Sequence, residues 1–245
     1  MCDKVLEKLK ELDIDIKNCR GQSYDNAANM SGKYAGLQRK IKDVNNLIDY
    51  IPCAAHSLNL VGVHSVSCCL EAIHFFGLLN SLYTFCSGST HRWAVLTKGF
   101  TPNENNRILT LKHLSNTRWS CHAEATKALC QNYRSLYENL KDFVANEDEP
   151  ESMKSEANGL ITGLEKLETG FMAKMWNRIL IRFNSVSLIL QKECVDLLTA
   201  TSLLESLEEF TEQLRSKFDE IEDDAKNIMP CISQHYQYEV KRLRK

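Results

Sequence analysis

Glycine and proline are scarce in this chain, 10 and 4 among 245 residues. That excludes a turn-dense all-β fold and long flexible linkers, both of which need those residues. The glycines that stand near helix starts, Gly21, Gly32 and Gly36, fit neither the dinucleotide nor the P-loop spacing, so no phosphate-cradling loop is expected. No run of about 18 uncharged apolar residues occurs, which excludes a membrane-spanning helix. The first ten residues are charged throughout and do not resemble a secretory signal, so an intracellular chain is expected. A strong charge of one sign is also missing, since the net charge is −2.

What is present is ordinary for a globular protein: 43% hydrophobic and 25% charged residues, enough to bury a core. Ten cysteines are numerous, but their irregular spacing in apolar surroundings reads as reduced, buried thiols rather than a disulfide framework. The small net charge hides an uneven distribution. Residues 1–146 hold 17 Lys/Arg against 13 Asp/Glu, residues 147–226 hold 9 against 18, and the last 19 hold 4 against 1. The first part suits a polyanion, and the acidic part suits water or a basic partner.

Hydrophobic periodicity predicts an amphipathic helix over 3–12, a short strand over 14–19, a helical face from 26 to about 44, and a second strand over 50–53 that Pro52 keeps short. A long apolar helical region then runs from 56 to about 86, followed by a shorter helix over 91–100 and a loop over 101–106. A helix from Trp119 to Val144 carries Ala125, Leu129, Tyr133, Leu136 and Leu140 on one face. Beyond an acidic loop at 146–151, the period is helical over 153–168, 171–191 and 194–226. Pro230 and a basic tail at 241–245 follow.

Chemistry-bearing residues gather in three places. Asp25 stands where the stretch Cys19-Arg-Gly-Gln-Ser-Tyr-Asp-Asn-Ala-Ala-Asn-Met30 turns from strand to helix. It is either the helix N-cap or a ligand for a divalent ion. Cys53 and His56 repeat the pattern in Ile51-Pro-Cys-Ala-Ala-His-Ser-Leu-Asn-Leu60. Paired strands would set Asp25 and His56 at one rim, where ligands of open α/β sheets gather. With His64 and Cys68, the pair Cys53 and His56 also has zinc-ligand chemistry, or the two simply pack near a helix start. Cysteine-protease chemistry lacks a Gly-rich oxyanion turn. Arg118-Trp119 combines a guanidinium with a stacking face, as flipped bases require, or else Trp119 anchors the core with Arg118 snorkelling outward.

These stretches resemble, in order, motifs of the hAT-superfamily transposases: Gln22-Ser-Tyr-Asp-Asn-Ala-Ala-Asn-Met30, Cys53-Ala-Ala-His-Ser-Leu-Asn-Leu60 and Asn116-Thr-Arg-Trp-Ser120. The branch is that of zinc finger MYM-type protein 1-like proteins. The resemblance implies α/β plus all-α architecture: a partial RNase H-like core over 1–110, a helical insertion over 111–227, and a basic tail over 228–245 returning toward the core. It implies nuclear, metal-dependent DNA cleavage and strand transfer with Mg²⁺ or Mn²⁺ held by three acids. Asp25 matches the second acid and metal ligand. Cys53, His56, Arg118 and Trp119 match residues that meet DNA. The first and third acids, the N-terminal finger and the C-terminal self-association region are expected outside this chain. Glu205, Glu208 and Glu212 are poor substitutes. The chain alone is therefore expected to be catalytically inactive. The alternative is a host-recruited DNA-binding or protein-interaction module.

Overall fold

The computed structural model describes residues 1–67, 69–102, 108–114 and 119–236. The chain is mostly helical, with eleven α-helices and one two-stranded parallel sheet among the described residues. It divides into two compact units, Met1–Val61 and Gly62–Lys245.

In the first unit, helix α1 (Cys2–Glu11) forms as its periodicity predicts, with Asp3 in its first turn and Lys8 and Lys10 in its last. Those charges suit the helix dipole. The strand expected over 14–19 is instead a 3-10 turn over Ile16–Asn18. The reason is local: the Asp15 side chain accepts the Lys17 N–H at 2.9 Å and caps that turn. Extended backbone begins at Cys19, and strand β1 is Gly21–Gln22.

The helix expected from 26 to 44 is two helices, α2 (Ala28–Ser31) and α3 (Leu37–Val44). Gly32 and Gly36 are both extended, and their backbones approach so closely that a Cβ on Gly36 would collide with Gly32. Strand β2 (Asp49–Tyr50) pairs in parallel with β1, Gly21 opposite Asp49 and Gln22 opposite Tyr50. The core beneath is small: Cys2, Leu37, Ile41 and Ile48, with Val5, Leu6 and Tyr24 packed against it. Buried amides supplement it. Asn45 donates to the carbonyls of Ile16 and Cys19, and Gln22 donates to the Gln38 carbonyl at 2.9 Å.

The boundary between the units falls inside helix α4 (Ala54–Ser67). The long helix expected over 56–86 is thus two, α4 and α5 (Leu70–Ser87), with extended backbone at Cys69. Helix α5 carries the strongest apolar pattern and buries Phe75, Phe76, Leu79, Leu82 and Phe85. Ser89 caps α6 (Thr90–Leu96) by accepting the Arg92 N–H.

Helix α7 (Trp119–Ala145) matches its expected span and bends at Asn132, whose backbone is non-helical. That Asn is buried and fully engaged: it accepts the Thr101 N–H at 2.9 Å and donates to the carbonyls of Ala128 and Leu109. Helix α7 packs along α8 (Glu151–Leu164) and α9 (Leu167–Leu190). Helix α9 also carries α10 (Leu197–Arg215) and α11 (Phe218–Lys226), which the sequence pattern reads as one helix. They separate at Ser216 and Lys217. No single helix among the described residues is long and apolar enough to cross a membrane.

Candidate functional site

The hydrogen bonds of the β1–β2 pair run beyond the two strands. Arg20, Gln22 and Tyr24 carbonyls accept the N–H groups of Asp49, Ile51 and Cys53 at 3.0, 3.0 and 2.9 Å. Continuing that register sets Asp25 opposite Cys53. Both segments then turn into helices at the same end, β1 through Asp25 into α2 and β2 through Cys53 into α4. The Cys53 carbonyl accepts the Ser57 N–H, so Cys53 occupies the N-cap position of α4, and His56 stands in its first turn. Thus Asp25, Cys53 and His56 lie at one carboxyl end of one sheet, within the first unit.

Asp25 is exposed, whereas Cys53 and His56 are half-buried. The Asp25 carboxylate accepts the Ala27 N–H at 3.2 Å, two residues on. This is an Asx turn. The N-cap of α2 is Ala27, so the capping reading of Asp25 is corrected to a turn that precedes the helix. Tyr24 and Tyr50 stack beside the rim with ring centroids 6.3 Å apart. Burial pushes the Tyr24 phenol upward, and nearby Cys19 and Cys2 add to the shift. The sequence motifs do not single out these tyrosines. Their signal was the alternation of Gln22 with Tyr24 across from Tyr50.

A two-ion clamp needs several oxygen ligands around each ion. Among the described residues, no group of three or more His, Cys, Asp or Glu side chains is placed to hold a metal ion. One exposed carboxylate does not supply the ligands that Mg²⁺ or Mn²⁺ needs in that role. The zinc reading also calls on Cys68, which lies outside the described residues. Glu205, Glu208 and Glu212 lie exposed on α10, in the second unit.

Trp119 belongs to the second unit, and Arg118 lies outside the described residues. Trp119 is only 4% exposed. Its ring stacks on His122 at 4.6 Å, meets Phe76 and Trp176 at 6.2 and 6.0 Å, and leaves no room for a Cβ on Gly62. Of its two readings, the core anchor is the one this burial fits, and an exposed stacking face is not. The concave surface just after this helix start is a cleft of about 520 Å³, lined by Ile108, Lys112, Glu124, Lys127, Ile181 and Asn184. Lys112 pairs with Glu124 at 3.4 Å. Sequence reading missed this cleft because its lining comes from three separate segments.

No family model matches the chain. No solved structure matches it either.

Proposed function

We propose that the chain is an hAT-type, transposase-derived polypeptide that binds DNA in the nucleus and does not cut it alone. In this reading, the β1–β2 pair belongs to a partial RNase H-like core and the helices after Trp119 to its insertion. The observation that carries it is the parallel ladder from Arg20–Asp49 to Tyr24–Cys53, which ends with the motif residues Asp25 and Cys53 in register. Three motifs read independently along the sequence thereby acquire a physical reason for two of them. An acid at one strand end and a Cys-x-x-His at the next then share the carboxyl rim, where ligands of open α/β sheets bind, and the resemblance to hAT transposases implies DNA as that ligand. A metal-dependent strand transfer needs carboxylates beyond Asp25.

The test is fluorescence anisotropy of the purified chain with duplex and hairpin DNA across a salt series, beside a nuclease assay with Mg²⁺ or Mn²⁺. Affinity is expected to fall linearly in log–log form with salt. His56→Ala is expected to weaken it several-fold, and no cleavage is expected. Absence of binding at low salt overturns the reading, as does cleavage that survives Asp25→Asn.

One observation favours a second reading, a protein-interaction module. Leu197 and Leu198, adjacent at the start of α10, are 76% and 79% exposed. Apolar groups concentrated in this way mark contact surfaces.

A further inference from the structure

Helix α9 carries two arginines one turn apart, and their partners differ. Arg178 meets two carboxylates of α11, Glu220 at 2.9 Å and Asp224 at 2.7 Å. Arg182 instead donates through Nη2 to the hydroxyl of Ser206 on α10, a neutral partner. Its Nε is buried and has no hydrogen-bond partner among the described residues. Nε and Nη2 form one edge of the guanidinium, the edge that takes two oxygens of a carboxylate or phosphate side by side. One half of that fork rests on the Ser206 oxygen and the other half is unused. A buried donor left unpaired is costly, so an anion carried on the Ser206 oxygen would satisfy both nitrogens at once.

The sequence around Ser206 suits the chemistry that would put such an anion there. Glu205 precedes it and Leu207-Glu208-Glu209 follow, all three glutamates being exposed. Acid-selecting protein kinases recognise serines by charge patterns of this kind. Helix α10 is also thinly attached: of its 19 residues, Leu207 and Leu214 are the buried ones. Elements with few buried contacts open locally at small cost, which brings the half-buried Ser206 within reach of a kinase.

We infer that Ser206 is a phosphorylation site and that Arg182 receives its phosphate, clamping α10 to α9. In the transfer, Oγ of Ser206 bonds to the γ-phosphorus of ATP, the bond from that phosphorus to the β,γ-bridging oxygen breaks, and ADP leaves. The hydroxyl proton passes to the catalytic base of the kinase. Phosphate oxygens then accept from Nε and Nη2 together, as charge-assisted bonds in place of one bond to a neutral hydroxyl. Glu205, Glu208 and Glu209 repel the added charge, but they are exposed and screened by salt, whereas the arginine fork is part-buried. Attraction therefore wins. The site lies within the second unit and stands independently of the DNA-binding reading.

The test uses the full chain in two arms. In the first, the chain is incubated with an acid-selecting serine kinase, ATP and Mg²⁺, and tandem mass spectrometry is expected to find phosphate on Ser206. In the second, phosphoserine is installed at 206 during synthesis and amide exchange is followed over Leu197–Arg215. Exchange is expected to slow about fivefold or more relative to the unmodified chain. Arg182→Gln is expected to cancel that slowing, and Arg182→Lys, which keeps the charge without the fork, to retain only part of it. Should Arg182→Gln unfold, the lysine variant decides alone. No phosphate on Ser206, exchange unchanged or faster with phosphoserine, or slowing undiminished by the arginine variants overturns the inference.

Discussion

The two compact units of this chain are held together by different physics. The first rests on a core cluster of four buried apolar side chains and a set of amides, with Asn45, Gln22 and Gln38 spending their side chains on backbone carbonyls. The second rests on dense aromatic and aliphatic packing, in which Phe76 alone meets Phe75, Trp119, His122 and Trp176 edge-on or tilted. Burial of apolar surface scales with size, whereas a hydrogen bond gives a small net gain and a large loss when one partner is removed. The first unit should therefore respond to lost polar partners, and the second to lost volume.

The largest break in that comparison is Trp119→Ala. Emptying a buried indole is expected to cost about 3–5 kcal/mol. Urea unfolding followed by circular dichroism measures it. A cost below about 1 kcal/mol would return Trp119 to the role of an exposed, ligand-facing ring.

Alkaline pH gives the next effect, again aimed at the second unit. Burial pushes the Cys86 and Cys130 thiols from 9.0 up to about 12, and it raises the Tyr133 phenol too, with Cys130 adding to that shift. Groups raised on folding stabilise the folded state below their unfolded value. That stability is lost as pH climbs from about 9 towards 12, because only the unfolded chain ionises there. At pH 10 the urea midpoint is therefore expected to be lower than at pH 7, each thiol removing on the order of 1 kcal/mol. Comparing urea midpoints at pH 7 and 10, with Cys86→Ala and Cys130→Ala as references, tests the sign. The same burial makes both thiols slow towards alkylating reagents, while exposed Cys194 and Cys231 react first.

For the first unit, Asn45→Ala is the informative change. It leaves the Ile16 and Cys19 carbonyls and the Leu47 N–H without their partner, at an expected cost of about 2 kcal/mol. Amide exchange should accelerate across residues 1–61 and stay unchanged around Leu79 and Leu136. Equal acceleration in both regions would show that the units unfold as one.

How much of this was legible beforehand follows the same division. Helices α1, α7 and α9 declared themselves because apolar residues recur at helical spacing over several turns. The breaks did not. Extended backbone at Cys69 and the turn at Lys217 interrupt patterns that remain periodic across them, so only tertiary packing sets those limits. The strand expected at 14–19 does not form because the Asp15 side chain competes for the local backbone, an effect that propensity averages hide. At the candidate site the pairing of the two motif strands was legible, since each run ends in a helix start. The roles of Asn45 and Asn132 were not, because their partners lie up to 29 and 31 residues away in sequence.

The smallest expected effect separates the units by function rather than stability. Asp25 is exposed, and its one hydrogen bond, to Ala27, survives replacement by Asn, whose side-chain carbonyl accepts as well. Asp25→Asn should shift stability by less than about 0.5 kcal/mol. Its charge is another matter. A carboxylate at the strand-end rim opposes phosphates brought to that rim, so removing it should tighten DNA binding about two- to threefold at low salt and hardly at all above about 0.3 M. Lys127→Ala on α7 works in the opposite direction at the cleft of the second unit, weakening binding if phosphates pass there. Measured side by side at two salt concentrations, the pair assigns the nucleic acid to one unit. Tightening by Asp25→Asn with no response to Lys127→Ala places it at the sheet, and the reverse places it on the helices.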